Sequence, residues 1–405
     1  MARSVPPAAP RRPLEGVRVL EMGQLIAGPF AGCMLAYFGA EVVKVEPPGS
    51  GDAIRGWRTL RDGTSLWWRA IGRNKKCITL DLRKHEARDL VARLAARVDV
   101  LIENFRPGTM ERWGLGPADL EAANPDLVYA RVSGYGQTGP YAARPGFASV
   151  CEGIGGFRHI NGFPGEPPVR PNLSMGDTLA ALHAVIGVLL ALHERGRPGG
   201  HGQVVDVAIY ESVFNMLESV VPEYDGAGLV RGPSGSTLTG IVPTNTYPCA
   251  DGKYVVIGGN ADSIFKRLMR AAGRGDMADD PRLADNAGRV AHREEVDGAI
   301  AEWTATLPSG RVLEILEAAA VPGGPIYDVA DMMADPHFQA RGLFERVEVG
   351  GEPLAIPAIV PRLAATPGAT TWPGPELGAH NDEIFGEWLG IPADELARLK
   401  DAGVV

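Results

Sequence analysis

The sequence predicts an α/β fold, in which a doubly wound, Rossmann-like parallel sheet forms a large domain and a smaller α+β domain follows it. Short apolar stretches alternate with helical patterns up to residue 133. A glycine- and proline-rich segment then spans 134–174, and beyond residue 246 the pattern changes to a hairpin followed by helices. A chain of 405 residues exceeds what one hydrophobic core usually supports, so two domains are expected.

The first half of the chain alternates strand and helix. The first βαβ unit consists of a strand at Val17–Met22, a helix within Gly32–Gly39 and a strand at Glu41–Glu46. The pattern continues with strands at Cys77–Leu82, Val98–Glu103 and Leu127–Ser133, and with helices at Glu86–Arg97 and, within the long loop, near Ala148–Phe157. Helices between successive strands favour a parallel sheet.

The second half begins with a helix at Thr178–Glu194, which is apolar on all faces and is therefore expected to be buried. Its longest apolar run, Leu179–Leu192, is too short to cross a bilayer. The further predicted elements are a strand at Gln203–Ile209, a helix at Tyr210–Val221, a hairpin of Thr246–Cys249 with Lys253–Gly258, helices at Asp262–Ala272, Arg293–Thr306 and Gly310–Ala320, a hairpin of Leu343–Val349 with Glu352–Ile356, and helices at Asp382–Leu389 and Pro392–Ala402 that return to the first domain.

These patterns divide the chain into parts. Residues 1–12 form a disordered leader, and residues 13–222 with 331–405 form the large domain. Residues 223–246 form a linker with a mobile glycine-rich loop, and residues 247–330 form the small domain.

Composition excludes several classes of function. A net charge of −9 disfavours a nucleic-acid-binding protein. The N-terminus lacks an apolar targeting segment, which with the short apolar run predicts a cytoplasmic protein without a membrane partner. The four cysteines form no C-x-x-C pair and the eight histidines no H-E-x-x-H motif, so no metal is expected.

Asp177 stands where the long loop meets the apolar helix, in the stretch "LSMGDTLAALHA". Ser174 to Asp177 fits the capping pattern S/T-x-x-D, in which the serine caps an N–H group and the acid reaches back to the cap. The helix dipole also favours an acid in the first turn. A structural role is therefore the first interpretation, and a chemical role needs support from elsewhere in the chain.

A basic island lies between residues 55 and 76, where one acidic residue accompanies seven basic ones, Arg55, Arg58, Arg61, Arg69, Arg73, Lys75 and Lys76. With Trp57, Trp67 and Trp68 interleaved, it suits a ligand with a flat ring and phosphates, such as a nucleotide-bearing coenzyme. The alternative is a set of structural residues with partners elsewhere in the fold. The glycines at 23, 28 and 32 do not form G-x-G-x-x-G, which disfavours a nicotinamide-dependent dehydrogenase.

Six motifs in order resemble the class III coenzyme A transferases, the family that includes formyl-CoA transferase and the carnitine CoA-transferases. They are "PLEGVRVLEMGQLIAGPFAG", "FGAEVVKVEPPGSGD", "RNKKCITLDLR", "DVLIENFRPGTMERWGLG", "NPDLVYARVSGYGQTGPY" and the "GD" at 176–177. The resemblance implies an enzyme that is an interlocked homodimer with its active site between the large and small domains.

The resemblance also implies roles for particular residues. The residue that matches the family's covalent nucleophile is Asp177. The matching CoA-binding positions are Ile26, Ala27, Leu80, Asp81, Leu82, Arg83, Asn104, Phe105, Arg106, Arg112, Ser133, Gly134, Tyr135 and Gly136. Pro47 departs from the family pattern, which often has arginine there, so Arg55 or Arg73 are the candidates for the missing contact.

The implied reaction moves CoA from an acyl-CoA donor to a free carboxylate through an anhydride and an aspartyl-CoA thioester. CoA thioesters are substrates, and no permanently bound cofactor is expected. The chain is most similar to the branch that uses succinyl-CoA with malate, citramalate, itaconate or mesaconate. Candidates for binding the second carboxylate are Arg58, Arg73, Arg170 and His159; the candidate lid is the 231–240 loop with Gly235, Ser236 and Gly240, and the second choice is Gly258 with Gly259.

Two other functions remain alternatives. A 2-methylacyl-CoA racemase of the same fold typically has His-Asp in the long loop, where this chain has Gly146, Phe147 and Ala148, so proton abstraction lacks an obvious base. A CoA-binding protein without turnover is the other alternative; Asp177 argues only weakly against it, because a capping role would also explain an acid at that position.

Overall fold

The computed structural model describes residues 11–405, and the predicted leader lies largely outside these residues. The chain divides into two compact units. The first comprises the described residues up to Phe157 together with Pro171–Asp225 and His337–Val405, and the second comprises Arg158–Arg170 and Gly226–Pro336. Residues 158–170, which the sequence-based division assigned to the large domain, therefore pack with the smaller unit.

The first unit is built on a parallel sheet, which confirms the predicted α/β class. Its first strands are β1 (Arg18–Glu21) and β2 (Glu41–Glu46); a small hairpin of β3 (Leu60–Arg61) and β4 (Thr64–Ser65) follows, and the sheet continues with β5 (Lys75–Thr79), β6 (Val100–Glu103), β7 (Val128–Ser133) and β8 (Val204–Ala208). The strand order is β5-β2-β1-β6-β7-β8, so the order reverses between β1 and β6. Doubly wound sheets bind ligands outside the carboxyl ends of their strands at such a reversal.

Helices cover both faces of this sheet. The helices up to residue 227 are α1 (Ala27–Tyr37), α2 (Leu66–Ile71), α3 (His85–Ala95), α4 (Thr109–Arg112), α5 (Pro117–Glu121), α6 (Ala148–Ile154), α7 (Phe157–Ile160), α8 (Met175–Arg195), α9 (Ile209–Phe214) and α10 (Val220–Ala227). Most of α7 and the last residues of α10 belong to the second unit. Val19 packs in the core on the side of α1 and α8, whereas its neighbour Leu20 packs on the side of α3. Both faces of the strands are therefore buried, as is typical of parallel sheets.

The second unit is an antiparallel sheet with helices. Its elements are β9 (Thr244–Pro248), β10 (Tyr254–Gly258), α11 (Asp262–Ala271), α12 (Gly275–Ala278), α13 (Asn286–Ala291), α14 (Arg293–Thr304), α15 (Ser309–Ala318), β11 (Gly323–Pro325) and α16 (Val329–Ala334). The predicted hairpin is confirmed as β9 with β10, and the additional strand β11 pairs with β10. Strand β11 was not predicted because its sequence, Gly-Gly-Pro, has low strand propensity.

The C-terminal part returns to the first unit, as predicted. It contains α17 (Pro336–Ala340), the hairpin of β12 (Phe344–Val349) with β13 (Glu352–Pro357), α18 (Asn381–Glu383), a π-helical turn at Ile384–Trp388, and α19 (Ala393–Asp401). Ile384 and Phe385 pack in the core beside α3. The same segment covers the edge strand β5, since the Cys77 N–H donates to His380 Nδ1 (3.1 Å) and the His380 N–H donates back to Cys77 O (3.0 Å).

Helix α8 differs from its prediction in length and in burial. It has 21 residues, and by length and composition alone it is long and apolar enough to cross a membrane. Its inner face, which includes Ala180, Ala184 and Val188, packs against the sheet. The prediction that all faces are buried is wrong, because Ile186 and Leu190 on the outer face are 54% and 64% exposed.

The contact between His380 and the edge strand predicts a pH dependence of stability. Burial lowers the pKa of His380 below its ordinary value of 6.5, and the nearby Lys76 ammonium acts in the same direction. The folded state therefore favours the neutral ring, so this contribution to stability is present above the unfolded pKa and is lost as pH falls through the folded pKa. We expect His380→Asn to flatten the fall of the melting temperature between about pH 7 and pH 5.

The matched control is His193→Asn, which alters an exposed histidine of α8 and is expected to melt with the wild-type pH profile. Thermal unfolding followed by circular dichroism at each pH measures both variants. Identical pH profiles for His380→Asn and the wild type would show that the edge-strand contact does not depend on the neutral imidazole.

Candidate active site

Asp177 lies in the first turn of α8 and is partly exposed. The predicted capping box is wrong, because the Ser174 side chain makes no capping hydrogen bond within the described chain. The Ser174 carbonyl oxygen instead accepts from the N–H and the hydroxyl of Thr178, at 3.1 and 2.9 Å. The local pattern thus located the helix start correctly but assigned the cap to the wrong side chain.

The cap comes from Glu152 of α6, which the sequence analysis did not identify. Its side chain is fully buried, and its Oε1 accepts a hydrogen bond from the Gly176 N–H at 3.2 Å. Burial raises the pKa of the adjacent Cys151 thiol to about 11, and the negative charges of Asp177 and Glu152 add to the effect. Two carboxylates and a protonated thiol therefore meet where α8 begins. The available signal was a glutamate among small and apolar residues in "ASVCEGI".

Gly176 is required by close packing. A Cβ atom there would lie 3.0 Å from Ile209 Cγ2 and 3.4 Å from both Cβ and O of Ala148. Only glycine lets the first turn of α8 approach α6 and α9 this closely without displacing them. In the Gly-Asp pair, Gly176 therefore allows the close packing, and Asp177 is the carboxylate that this packing places at the start of α8.

Two loops meet at the reversal of strand order. The loop after β1 leads through Gln24 to Ile26 and Ala27 at the start of α1, and the loop after β6 contains Asn104 and Phe105. Asn104 crosslinks them, since its Oδ1 accepts from the Gln24 N–H (2.7 Å) and its Nδ2 donates to Gln24 O (2.8 Å). Four of the predicted CoA-binding positions therefore flank the place where a doubly wound sheet binds ligands.

The loop after β7 lies close to Asp177. Gly134 O accepts a hydrogen bond from Cys151 Sγ at 3.3 Å, so Cys151 connects this loop to the start of α8. Tyr135 is buried against Tyr141 and Tyr210, and Gly136 has a φ of +83°. Ser133 Oγ is buried and has no hydrogen-bond partner in the part of the chain that the structure describes. A buried hydroxyl without a partner is costly unless a ligand or water completes it.

The remaining predicted CoA-binding residues differ in their availability. Arg106 and Arg112 are exposed, and within residues 11–405 neither forms an ion pair with a carboxylate. Arg83 pairs through Nε with Asp81 Oδ1 at 2.8 Å, so two of the predicted contacts bind each other. Leu80 is buried and Leu82 is partly buried behind the edge strand. Arg106 and Arg112 are therefore better candidates than Arg83 for binding phosphate.

The basic island is mostly neutralised by acids from other parts of the fold. The ion pairs are Arg55 with Glu46, Arg69 with Glu376, Arg73 with Glu345, Lys75 with Glu21, and Lys76 with Glu41 and Glu383. Arg73 is buried and donates to Ala70 O at 2.6 Å and Pro357 O at 2.7 Å. Arg73 and Arg55 therefore hold the chain together, and their candidacy as substrate or phosphate ligands is corrected accordingly.

The remaining candidates lie in both units. Arg58 is exposed, with its guanidinium 4.2 Å from the Trp67 ring centroid. His159 and Arg170 belong to the second unit. In that unit the Gly235 N–H donates to Gly162 O (2.8 Å), Ser236 Oγ donates to Asn245 Oδ1 (2.6 Å), and Gly240 has a φ of +79°.

Gly258 and Gly259 do not form a loose segment. The Gly258 N–H donates to Pro322 O, and the Gly259 N–H donates to Pro243 O at 2.9 Å. A Cβ atom on Gly259 would lie 2.6 Å from Leu268 Cδ2. Close packing therefore explains Gly259, whereas a Cβ atom on Gly258 would meet open space. The two backbone hydrogen bonds argue against the second choice of lid.

Comparisons with known proteins show which family and which solved structures the chain resembles. A model of CoA-transferase family III matches residues 14–381. The chain is 50% identical to a succinyl-CoA:D-citramalate CoA-transferase of Chloroflexus aurantiacus over 98% of this chain and 99% of that protein. It is 42% identical to the alpha subunit of a succinyl-CoA:L-malate CoA-transferase of the same organism, over 97% and 92%. The crystal structure of a CAIB/BAIF family protein from Brucella suis matches with a TM-score of 0.81 at 35% identity, over 93% of this chain and all of that chain.

The close approach at the start of α8 predicts the effect of a substitution. Gly176→Ala is expected to lower the free energy of unfolding by about 1–3 kcal/mol, because the added methyl group forces α8 away from Ile209 and Ala148. Gly298→Ala is the control, since that helical glycine has open space at its Cβ position and should gain roughly 0.5–1 kcal/mol. Calorimetric melting measures both. Equal stability of Gly176→Ala and the wild type would contradict the packing requirement.

Proposed function

The chain belongs to CoA-transferase family III and is a CoA-transferase, and from that premise we propose that it moves CoA from succinyl-CoA to a small dicarboxylic acid through Asp177. The observation that carries the proposal is the placement of this carboxylate. It lies partly exposed at the start of α8, beside a cap supplied by Glu152 and beside the loop after β7. The two similar CoA-transferases named above support the substrate class, since both use succinyl-CoA with a dicarboxylic acid.

The proposed reaction exchanges one thioester for another without ATP. The Asp177 carboxylate attacks the thioester carbon of the donor, the C–S bond breaks, and CoA leaves as a thiolate. The thiolate then attacks the aspartyl carbonyl of the mixed anhydride, which releases the donor acid and leaves an aspartyl-CoA thioester. The acceptor carboxylate then attacks the aspartyl-CoA thioester, which gives a second mixed anhydride and releases the CoA thiolate. The thiolate attacks the acceptor's carbonyl carbon, so the new acyl-CoA forms and the Asp177 carboxylate is regenerated. Each step breaks one acyl bond and forms another, so no net proton transfer is needed.

The start of a helix favours this chemistry in two ways. The positive end of the helix dipole stabilises the ionised carboxylate, which is the nucleophilic form. Backbone N–H groups that are preorganised near the reacting carbon also stabilise the oxyanion of each tetrahedral intermediate. The loop after β7, which lies in the same unit as Asp177, is the candidate source of these N–H groups.

CoA is proposed to bind along the carboxyl ends of β1, β6 and β7. The strand reversal is flanked by Ile26, Ala27 and the Asn104–Arg106 segment. The Ser133 hydroxyl, which has no hydrogen-bond partner among the described residues, could donate to the bound CoA. The exposed guanidinium groups of Arg106 and Arg112 suit the phosphates. The carboxylate that distinguishes a dicarboxylic acceptor is proposed to bind a cation, and the exposed Arg58, His159 and Arg170 remain candidates.

Trapping the acyl-enzyme tests the function. Incubation with succinyl-CoA followed by hydroxylamine should give a hydroxamate on Asp177 that mass spectrometry locates. Asp177→Asn should give no adduct and lower kcat by about 10³-fold or more, because the amide is not a nucleophile.

Among acceptors, citramalate, malate, itaconate and mesaconate should accept CoA, whereas acetate and formate should accept it poorly.

The control separates catalysis from capping. Asp119 also lies in the first turn of a helix, where its Oδ2 accepts from the Gly116 N–H at 2.9 Å. Asp119→Asn should cost roughly 1 kcal/mol of stability or less and leave turnover unchanged. Turnover in a folded Asp177→Asn variant would rule out the covalent aspartate.

The same assays distinguish the alternative functions. Exchange of the α-proton of a methylacyl-CoA into deuterated water without CoA transfer would indicate the isomerase, and CoA binding without either reaction would indicate a binding protein.

We also propose that the chain forms a homodimer. The outer face of α8 exposes Ile186 and Leu190, and the neighbouring helix α6 exposes Val150 at 50%, with Phe147 before it at 68%. Exposed apolar side chains on neighbouring helices are typical of an interaction site. Light scattering should give about twice the chain mass of 42.9 kDa, and Leu190→Asp should reduce the dimer fraction. A monomeric mass for the wild type at micromolar concentration would overturn the proposal.

A further inference from the structure

Four charged side chains lie fully buried below the carboxyl end of β1. They are Glu21, Lys44, Asp52 and Lys75, and each is 0% exposed. Lys44 Nζ lies 3.1 Å from Glu21 Oε1 and 2.9 Å from Asp52 Oδ2, and Lys75 Nζ lies 2.7 Å from Glu21 Oε2. We call these four residues the buried charge cluster. Burying ion pairs is expensive, and apolar residues of equal volume often stabilise a protein as well or better.

Lys44 and Asp52 of the cluster are ionised at neutral pH. Burial acts to raise the pKa of Asp52, but the Lys44 ammonium and hydrogen bonds from the Leu25 and Ile54 amides outweigh it, and the pKa is lowered. For Lys44, burial acts to lower the pKa, but the carboxylates of Asp52 and Glu21 outweigh it, and the pKa is raised. The charges of Asp52 and Lys44 therefore compensate each other inside the unit.

The remaining hydrogen bonds of the cluster go to the loop between β1 and α1 and to the first turn of α1. Lys44 Nζ donates to Gly23 O at 2.6 Å, and Lys75 Nζ donates to Pro29 O at 2.7 Å. The Asp52 carboxylate accepts from the Leu25 N–H at 3.0 and 3.1 Å. With Asn104 bound to both polar groups of Gln24, each residue from 23 to 25 is held through its backbone.

The loop needs such restraint because its backbone is unfavourable. Leu25 has a φ of +66°, a left-handed conformation that costs a non-glycine residue about 1 kcal/mol or more. Gly23 and Gly28 are so close that a Cβ atom on either would lie 2.9 Å from the Cα atom of the other. This compact turn leads directly to Ile26 and Ala27, where α1 starts without a side-chain cap within the described chain. The first N–H groups of α1 are therefore held at the strand reversal.

We propose that Asp52, paired with Lys44, is a positioning residue for CoA binding: its carboxylate holds Leu25 in the left-handed conformation and so places the Ile26 and Ala27 backbone against the bound CoA. The inference rests on the proposed function, since it takes this loop as a CoA-binding segment. Asp52 does not touch the reacting atoms, so its loss weakens CoA binding and leaves the chemistry at Asp177 intact.

The test compares Asp52→Asn with the wild type. Asparagine replaces one carboxylate oxygen by an NH2 group, which can neither accept from the Leu25 N–H nor pair with Lys44. The loop is then held less tightly, so calorimetric titration with free CoA should show a Kd raised about tenfold. The KM for succinyl-CoA should rise, whereas kcat should change little. A purely structural role would lower the melting temperature without this split between binding and turnover.

Asp99→Asn is the matched control. Asp99 also combines an ion pair with a backbone hydrogen bond, pairing with Arg195 at 2.8 Å and accepting from the Arg18 N–H at 2.8 Å. It lies at the amino end of the sheet, so its variant should lose stability without any change in CoA affinity. Equal CoA affinity of Asp52→Asn and the wild type would overturn the positioning role.

Hydrogen exchange in the wild type provides a measurement that needs no variant to fold. CoA should slow the exchange of amides within residues 24–28, and unchanged exchange there would overturn the inference even if Asp52→Asn does not fold. The two proposals fail differently. A wild type that does not bind CoA contradicts the proposed function, whereas a wild type that binds CoA with the loop unaffected contradicts only the role of Asp52.

Discussion

Buried polar side chains that bind backbone groups determine where the candidate site lies. Glu152 satisfies the Gly176 N–H, Asn104 satisfies both polar groups of Gln24, and Asp52 satisfies the Leu25 N–H. Each of these side chains comes from a different segment than the backbone that it holds. Strand packing alone places the ends of β1, β6 and β7 near one another, but it does not determine the conformation of the loops that follow. The side-chain contacts supply that information.

Ion pairs inside the first unit also determine which basic side chains remain available at its surface. Most basic residues between 55 and 76 bind acids or carbonyl oxygens within the first unit, so little of the apparent positive field reaches solvent. Arg106 and Arg112, which follow β6, keep exposed guanidinium groups. We therefore expect an anionic ligand to be attracted to the strand reversal more than to the region that is richest in basic residues. A cluster of basic residues in the sequence therefore does not by itself locate an anion-binding site, because acidic residues that are distant in the sequence can neutralise it.

The accuracy of the sequence-based predictions follows the range of the interactions behind them. Hydrophobic alternation and turn residues act over a few positions, and they located β2, the hairpin of β9 with β10 and the hairpin of β12 with β13 to within about two residues. The capping assignment at Ser174 was wrong because its competitor Glu152 is more than twenty residues away. The role of Arg73 was misjudged because its partners, Pro357 and Glu345, lie over 270 positions along the chain. The exposed face of α8 was missed because composition does not show which side a partner would cover.

The chemistry proposed for the start of α8 raises a question of selectivity, since a thiolate is intrinsically a better nucleophile toward thioesters than a carboxylate. Burial and the negative charges of Asp177 and Glu152 raise the pKa of Cys151 to about 11, so its reactive thiolate is scarce at neutral pH. Its Sγ also donates to Gly134 O, which commits the proton to the adjacent loop. The same negative environment that disfavours a thiolate is tolerated by an aspartate at a helix start, where the dipole compensates its charge. The arrangement therefore favours the proposed acyl transfer to the carboxylate oxygen of Asp177 over transfer to the sulfur of Cys151.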